Sequence, residues 1–301
     1  MNNDRLLYRR GILQLVASGF FLSTSGIALR IIEQADGWQI LFYRSLALSV
    51  TILIILVFQK GSRVFDEFRG LEWNDCLLAV FLGTGFVAYV FALLYNTVAN
   101  ALFIFSCAPF VAGFLGWILL GERVATRTWF AIGAAMAGLT VMVGSELAVS
   151  RYLGTLIALW IPIAYAASVI AVRKSKRENM LVALCLAGLV ALVLSAFFVT
   201  DYTLTFRDMF ISLYLGVFQV GLGFTLVVLG SRHVPAAQVG LLALVEPILA
   251  PIWVWMGVGE VPGLATIVGG TIIFLRLRKE IEGKVEKLIR GMERNIKRKL
   301  V

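Results

Sequence analysis

Residues 101–123 read ALFIFSCAPFVAGFLGWILLGER, and residues 241–260 read LLALVEPILAPIWVWMGVGE. Both are apolar runs broken by a proline and closed by Gly-Glu. Displaced by 138 residues, they fall into one register without a gap: Pro109 on Pro247, Ala112 on Ala250, Trp117 on Trp255, Gly121 on Gly259 and Glu122 on Glu260. The register continues upstream, where Gly83, Gly85, Phe86, Val90 and Ala99 fall on Gly221, Gly223, Phe224, Val228 and Ala237. Apolar composition alone matches Ala and Val by chance. It does not readily place Pro, Trp and Gly-Glu together. A shift of 143 then pairs Gly11, Ser25, Ile27, Ala28 and Arg30 with Gly154, Ser168, Ile170, Ala171 and Arg173, so the halves are colinear.

Working outward, a hydrocarbon core of about 30 Å takes about 20 apolar residues as a helix. Ten such spans are expected, at 11–32, 38–59, 74–95, 98–120, 125–145, 152–173, 179–200, 209–231, 235–257 and 262–277. Most connections are very short, so consecutive spans are antiparallel neighbours. Lys and Arg orient them. With the N-terminus inside, 23 of the 27 basic residues fall in inside segments, and only Arg151 and Arg207 in outside loops. Both termini are therefore expected in the cytoplasm. Each repeat holds five spans, an odd number, so the second copy enters from the opposite side. The expected fold class is an all-α membrane protein of ten transmembrane helices in two inverted five-helix repeats. The first covers 8–147 and the second 150–277, and 278–301 forms a basic amphipathic cytoplasmic tail. Inverted repeats suit alternating access, with a site near the midplane between the halves.

Composition supports this class. Apolar residues make up 60% of the chain and charged residues 15%, against about a quarter charged in soluble domains. The net charge of +9 gathers between spans and in the tail, which fits positive-inside topology rather than a nucleic-acid footprint. Cys76, Cys107 and Cys185 are far apart and form no CxxC pair, so neither a disulfide nor a metal site is assigned. The first apolar segment shows no clear small-residue cleavage site and is read as the first span.

The two quoted segments resemble the EamA-type box of the drug/metabolite transporter superfamily. The stretch FYRSLA (42–47) resembles that family's Phe-x-Arg-x-x-x-Ala pattern. The likeness covers about residues 8–277. It implies a central cavity lined mainly by spans one, three, four, six, eight and nine. Within the superfamily the chain is most similar to the YddG-type exporters of aromatic and other amino acids. One departure is that the Arg44 position has no basic copy in the second half, where a shift of 143 gives Ala187. The expected function is export of aromatic and other neutral amino acids by alternating access, across a bacterial inner membrane. A drug, metabolite or nucleotide-sugar carrier of the same superfamily is the alternative, and a channel a further one.

Ionisable groups at membrane depth need a reason. Only Glu246 among twelve Glu sits mid-span, directly before Pro247. Proline removes a backbone hydrogen bond and frees a carbonyl one turn back. A carboxylate beside such a break either binds an ammonium group or a proton, or serves as a buried partner for Arg44 or a hydroxyl. Arg44 either takes a substrate carboxylate through its planar fork or anchors outer loops. Gln14, Ser18, Phe21 and Ser25 share one helix face, facing the cavity or bonding neighbouring helices. Further substrate-binding candidates are Tyr89, Asn96, Asn100, Phe103, Trp160, Tyr165 and Gln219. Each aromatic either stacks on substrate or merely packs. Pro109 and Pro247 are the gating candidates. Glu122 and Glu260 are read as caps for the helices that follow them.

The sequence carries no GxSxG, HExxH or P-loop, so neither an enzyme nor an ATP-driven pump is expected. No cofactor or metal is expected, and no catalytic residue is assigned. The partners expected are a small-molecule substrate, an amino acid, and the bilayer itself, with a monomer or homodimer as the unit.

Overall fold

The computed structural model describes residues 2–61, 64–95, 98–122, 152–175 and 180–259, together with residues 126, 129, 130, 133 and 137. Among these residues every regular element is helical. The elements are α1 (Asn2–Ser23), α2 (Ser25–Arg30), α3 (Gly37–Lys60), α4 (Val64–Arg69), α5 (Trp73–Tyr95), α6 (Val98–Phe105), α7 (Ala108–Leu120), α8 (Tyr152–Lys174), α9 (Leu181–Ala196), α10 (Phe206–Tyr214), a π-helical segment (Leu215–Leu222), α11 (Gly223–Ser231), α12 (Ala236–Ala243) and α13 (Val245–Val258). Six of the resulting stretches are long and apolar enough to cross a membrane. The expected fifth and tenth spans lie almost wholly outside the described residues, as does the tail.

Three expected spans are each broken in two. The fourth divides at Ser106–Cys107, two residues before Pro109, and the ninth divides at Leu244, three before Pro247. Proline has no N–H for the carbonyl one turn back, and its ring crowds that turn. The 138-residue register reappears in the backbone. Val98–Phe105 and Ala236–Ala243 coincide at both ends under that shift. Their second halves both stop at left-handed glycines, Gly121 (φ 65°) and Gly259 (φ 74°), a conformation glycine adopts without steric cost. The first span breaks at Thr24, with no proline present. Here Ser23, Thr24 and Ser25 each bond a different helix. Trp253 Nε1 donates to Ser23 Oγ (2.7 Å), Tyr214 OH donates to Thr24 Oγ1 (3.2 Å), and Ser25 Oγ pairs with Tyr89 OH (2.7 Å).

Helix ends at both faces are fixed by side chains. Asp36 caps α3 in a capping box with Gln39, and Gln39 Nε2 reaches across to the carbonyls of Asp201 (2.9 Å) and Thr203 (3.1 Å). Asp208 is fully buried, and its carboxylate accepts from the backbone N–H of Glu33, Gln34 and Ala35 at 3.0–3.1 Å. Arg207 pairs with Glu33 beside it. At the opposite face Glu122 accepts from Arg173 Nε (2.7 Å) and from the backbone N–H of Ala236 (3.1 Å). Arg173 also donates to the carbonyls of Ser231 (3.1 Å) and Val234. Glu122 thus caps α12, which opens the ninth span. Residues 123–125, where the fifth span would open, lie outside the described residues. Glu260 lies outside the described residues.

The core lies where α1, α5, α8, α11 and the broken spans converge, and it is built from Leu15, Ala92, Phe105, Ala158, Tyr165, Ala166, Val227 and Leu241. A second cluster joins α3, α5 and α9 through Leu41, Leu48, Ile52, Leu78 and Leu184. Phe58, Phe114, Trp117, Phe206, Phe210 and Met256 stay exposed. Apolar side chains on the outward surface are what lipid contact requires.

Candidate functional site

The chemistry gathers in one internal cavity. Its lining includes Arg44 of α3, Phe86 and Tyr89 of α5, Phe105 of α6, Tyr165 of α8, Gln219 of the π-helical segment, Phe224 of α11 and Glu246 of α13. Five residues singled out in the sequence, Arg44, Tyr89, Tyr165, Gln219 and Glu246, therefore meet here from five separate helical stretches.

Each is held by local structure. Glu246 is the second residue of α13, just past the break at Leu244, so its side chain leaves the helix where the backbone is interrupted. It is 4% exposed, and Oε1 accepts a 2.8 Å hydrogen bond from Tyr89 OH. Arg44 is 3% exposed, and its guanidinium lies over the rings of Phe86 (5.6 Å) and Tyr89 (5.9 Å). Cation–π contact of this kind contributes about 2 kcal/mol when desolvated. Among the described residues no hydrogen bond or ion pair occupies the guanidinium. The α3 backbone is brought against the π-helical segment at Gly216, where any Cβ would overlap the Arg44 carbonyl. Gln219 sits within that segment. Its Nε2 donates to the carbonyl of Leu22 (3.3 Å), while its buried Oε1 has no partner among the described residues.

The walls are aromatic. Phe86 and Phe224, which fall on each other in the 138-residue register, meet edge to face at 5.0 Å. Phe105 meets Tyr165 at 5.5 Å and Phe224 meets Tyr165 at 6.3 Å. Phe86, Phe105 and Phe224 also line the cavity and are not among the candidates drawn from the sequence. The repeat pairing of Phe86 with Phe224 was the signal for two of them. The space they line is about 40 Å³. One water needs about 10–15 Å³ on the same measure, so the cavity takes a few waters.

Other residues lie elsewhere. Trp160 is on the far side of α5, donating from Nε1 to Thr84 Oγ1 (3.0 Å) and lining a separate groove of about 420 Å³ with Trp38, Phe91 and Tyr95. Ser18 turns back on its own helix to the carbonyl of Leu15 (2.7 Å), and Gln14 is half-buried away from the cavity. Asn96 lies outside the described residues, as do the side chains of Asn100 and Phe103. Among the described residues no group of three or more His, Cys, Asp or Glu could hold a metal.

The polar groups are thus the Arg44 guanidinium, the Glu246 carboxylate, the Gln219 amide and the phenols of Tyr89 and Tyr165, set in otherwise apolar, aromatic walls. That set offers complementary groups to charges of both signs.

Comparison with known proteins agrees with this picture. No functionally curated protein matches the sequence. A solved structure described only as "Crystal structure of protein" superposes with a TM-score of 0.73 at 17% identity, over 89% of this chain and 96% of the other, a likeness of fold alone. The EamA-like transporter family matches twice, at residues 9–144 and 152–277. With both matches spanning most of the sequence, and helices of both matched segments lining one cavity, the chain belongs to the EamA-like transporter family and is a multi-pass membrane transporter built of two repeats.

Proposed function

We propose that this transporter moves neutral amino acids, those with aromatic or large apolar side chains foremost, by alternating access through the Arg44–Glu246 cavity. One observation carries the reading. Among the described residues the Arg44 guanidinium donates to no hydrogen-bond acceptor and the buried Gln219 amide oxygen has no donor, and both face the same aromatic-walled space as the Glu246 carboxylate. Buried polar groups normally find partners. A zwitterion supplies them: its carboxylate suits the planar fork of Arg44, its ammonium suits Glu246 and Gln219 Oε1, and its side chain suits Phe86, Phe105, Tyr165 and Phe224. A single-sign drug or a nucleotide sugar leaves one of the charged groups unmatched.

In this reading ten spans form two five-helix repeats of opposite orientation, 8–147 and 150–277, followed by a basic tail at 278–301. Both termini face the cytoplasm of a bacterial inner membrane, and the physiological direction is export. The basic asymmetry of the loops supports the orientation. The Glu122–Arg173 end is then cytoplasmic and the Asp208 end outward. The small cavity volume fits a contracted state that widens to admit substrate. Purified protein in liposomes preloaded with unlabelled amino acids tests this. Labelled L-phenylalanine and L-leucine accumulate by counterflow, whereas cationic drugs and nucleotide sugars do not. Absence of counterflow with every amino acid refutes the reading.

A further inference from the structure

Building on that reading, we infer that a proton and the substrate's ammonium group compete for Glu246, so that each amino acid bound releases one proton. Asp208, Glu122 and Glu246 are held in different ways. Asp208 accepts three backbone N–H groups and Glu122 is held by Arg173 and a helix N-terminus. Those partners can only donate, so they fix the carboxylate form. Glu246 is held differently. Its partner is the phenol of Tyr89, whose oxygen is also paired with Ser25 Oγ at 2.7 Å, an arrangement in which either oxygen can donate.

Hydroxyl groups serve both as donors and acceptors. When Glu246 is a carboxylate, Tyr89 donates to it and Ser25 donates to Tyr89. When Glu246 is protonated, it donates to Tyr89, and Tyr89 turns its hydrogen to Ser25. Both bonds, Glu246–Tyr89 and Tyr89–Ser25, persist in either state, with no side chain displaced. The exchange balances: a neutral carboxyl and an ammonium ion become a carboxylate–ammonium pair plus one proton, which leaves to water through the opened cavity. No covalent bond between heavy atoms changes. The surrounding groups permit the switch. Arg44 from α3 shares the cavity without forming an ion pair, Tyr89 comes from α5, Tyr165 from α8 and Gln219 from the π-helical segment. Arg30, on α2 beside α13, is exposed at the far end of its helix.

The test uses protein reconstituted in liposomes, with labelled L-leucine and L-phenylalanine counterflow measured from pH 5 to 9. Infrared difference spectra between low and high pH are recorded on the same samples without substrate. The parental protein is expected to show one pH midpoint in counterflow and one protonated-carboxyl band. Glu246→Gln slows counterflow at least tenfold, and both the midpoint and the band disappear. Tyr89→Phe keeps the acid but removes the donor that favours its ionised form, so the midpoint moves up by about one pH unit, a tenfold change in proton affinity. A midpoint or band that persists at its parental position in Glu246→Gln overturns the inference. Where that variant is inactive, an unmoved midpoint in Tyr89→Phe overturns it equally. Parental protein without any amino-acid counterflow refutes the substrate assignment instead, and the infrared band, which needs no substrate, still decides whether Glu246 titrates.

Discussion

Tyr89 and Glu246 are separated by 157 residues, yet the phenol of one donates to the carboxylate of the other at 2.8 Å. The bond joins α5 in the first matched repeat to α13 in the second, so the site belongs to neither repeat alone. The relationship also bears on motion. Any rearrangement that separates the repeats along this seam must break or carry along the Ser25–Tyr89–Glu246 chain.

Arg44 gives the most direct test of the cavity. Its guanidinium is buried, unbonded among the described residues, and laid across two rings. Arg44→Ala removes both the charge and the stacking plane, and amino-acid counterflow is expected to fall at least tenfold. Arg44→Lys keeps the charge and loses the fork, so activity lies between the two. Parental rates in Arg44→Ala would remove the residue from the binding site.

Asp208 predicts a stability effect separable from transport. Its three backbone hydrogen bonds are charge-assisted, each of a kind that contributes about 1.5–3 kcal/mol. Asp208→Asn keeps the size but presents an N–H₂ group to backbone donors. We expect an unfolding temperature several degrees lower in detergent, with substrate dependence of counterflow unchanged in the folded fraction. An unaltered melting curve would mean that the 33–35 backbone is held by other groups.

Of the glycines where the two broken spans meet, Gly240 has the least room for a Cβ. A Cβ there would come 2.6 Å from Pro109 Cα, which is backbone and has nowhere to move. Gly240→Ala therefore pries α12 from α7 at the Glu122 end. The expected result is greater access of thiol reagents to cysteines placed near the cavity from the Glu122 face. Gly133→Ala, where an added Cβ meets nothing within 4 Å, is the control. Equal labelling in the two variants would show that this contact does not close that face.

Much of this was legible in the sequence because it rests on composition and repetition. Hydropathy located the six long apolar helices among the described residues, and the 138-residue register anticipated paired breaks that coincide in the backbone. Mid-span charge found Arg44 and Glu246, since a membrane interior leaves few reasons to keep either. What the sequence could not fix was rotation. Trp160 and Tyr165 are five residues apart on one helix, nearly a turn and a half, and only contact with α5 decides that Tyr165 faces the cavity while Trp160 faces Thr84. The break at Thr24 left no proline to read. Its cause is tertiary, in three hydroxyl contacts to other helices.

The paired prolines yield the final prediction. Pro109 and Pro247 occupy one repeat position, and each follows a break that divides its span into two rigid halves. The halves are used unequally here. At the Glu122 end α7 packs along α12, whereas α6 and α13, the halves at the other end, do not pack side by side. One face is thus closed by the broken spans and the other is not. If the two repeats exchange these arrangements, α6 and α13 come together as α7 and α12 part, with the prolines as the pivots. Removing one pivot restores a backbone hydrogen bond and stiffens that span alone. Pro109→Ala and Pro247→Ala should each slow counterflow severalfold while the protein still folds. They should also shift thiol accessibility toward opposite faces, because the stiffened span belongs to a different repeat in each. Shifts in the same direction, or parental rates in both variants, would show that the prolines shape static bends and that the halves do not swing about them.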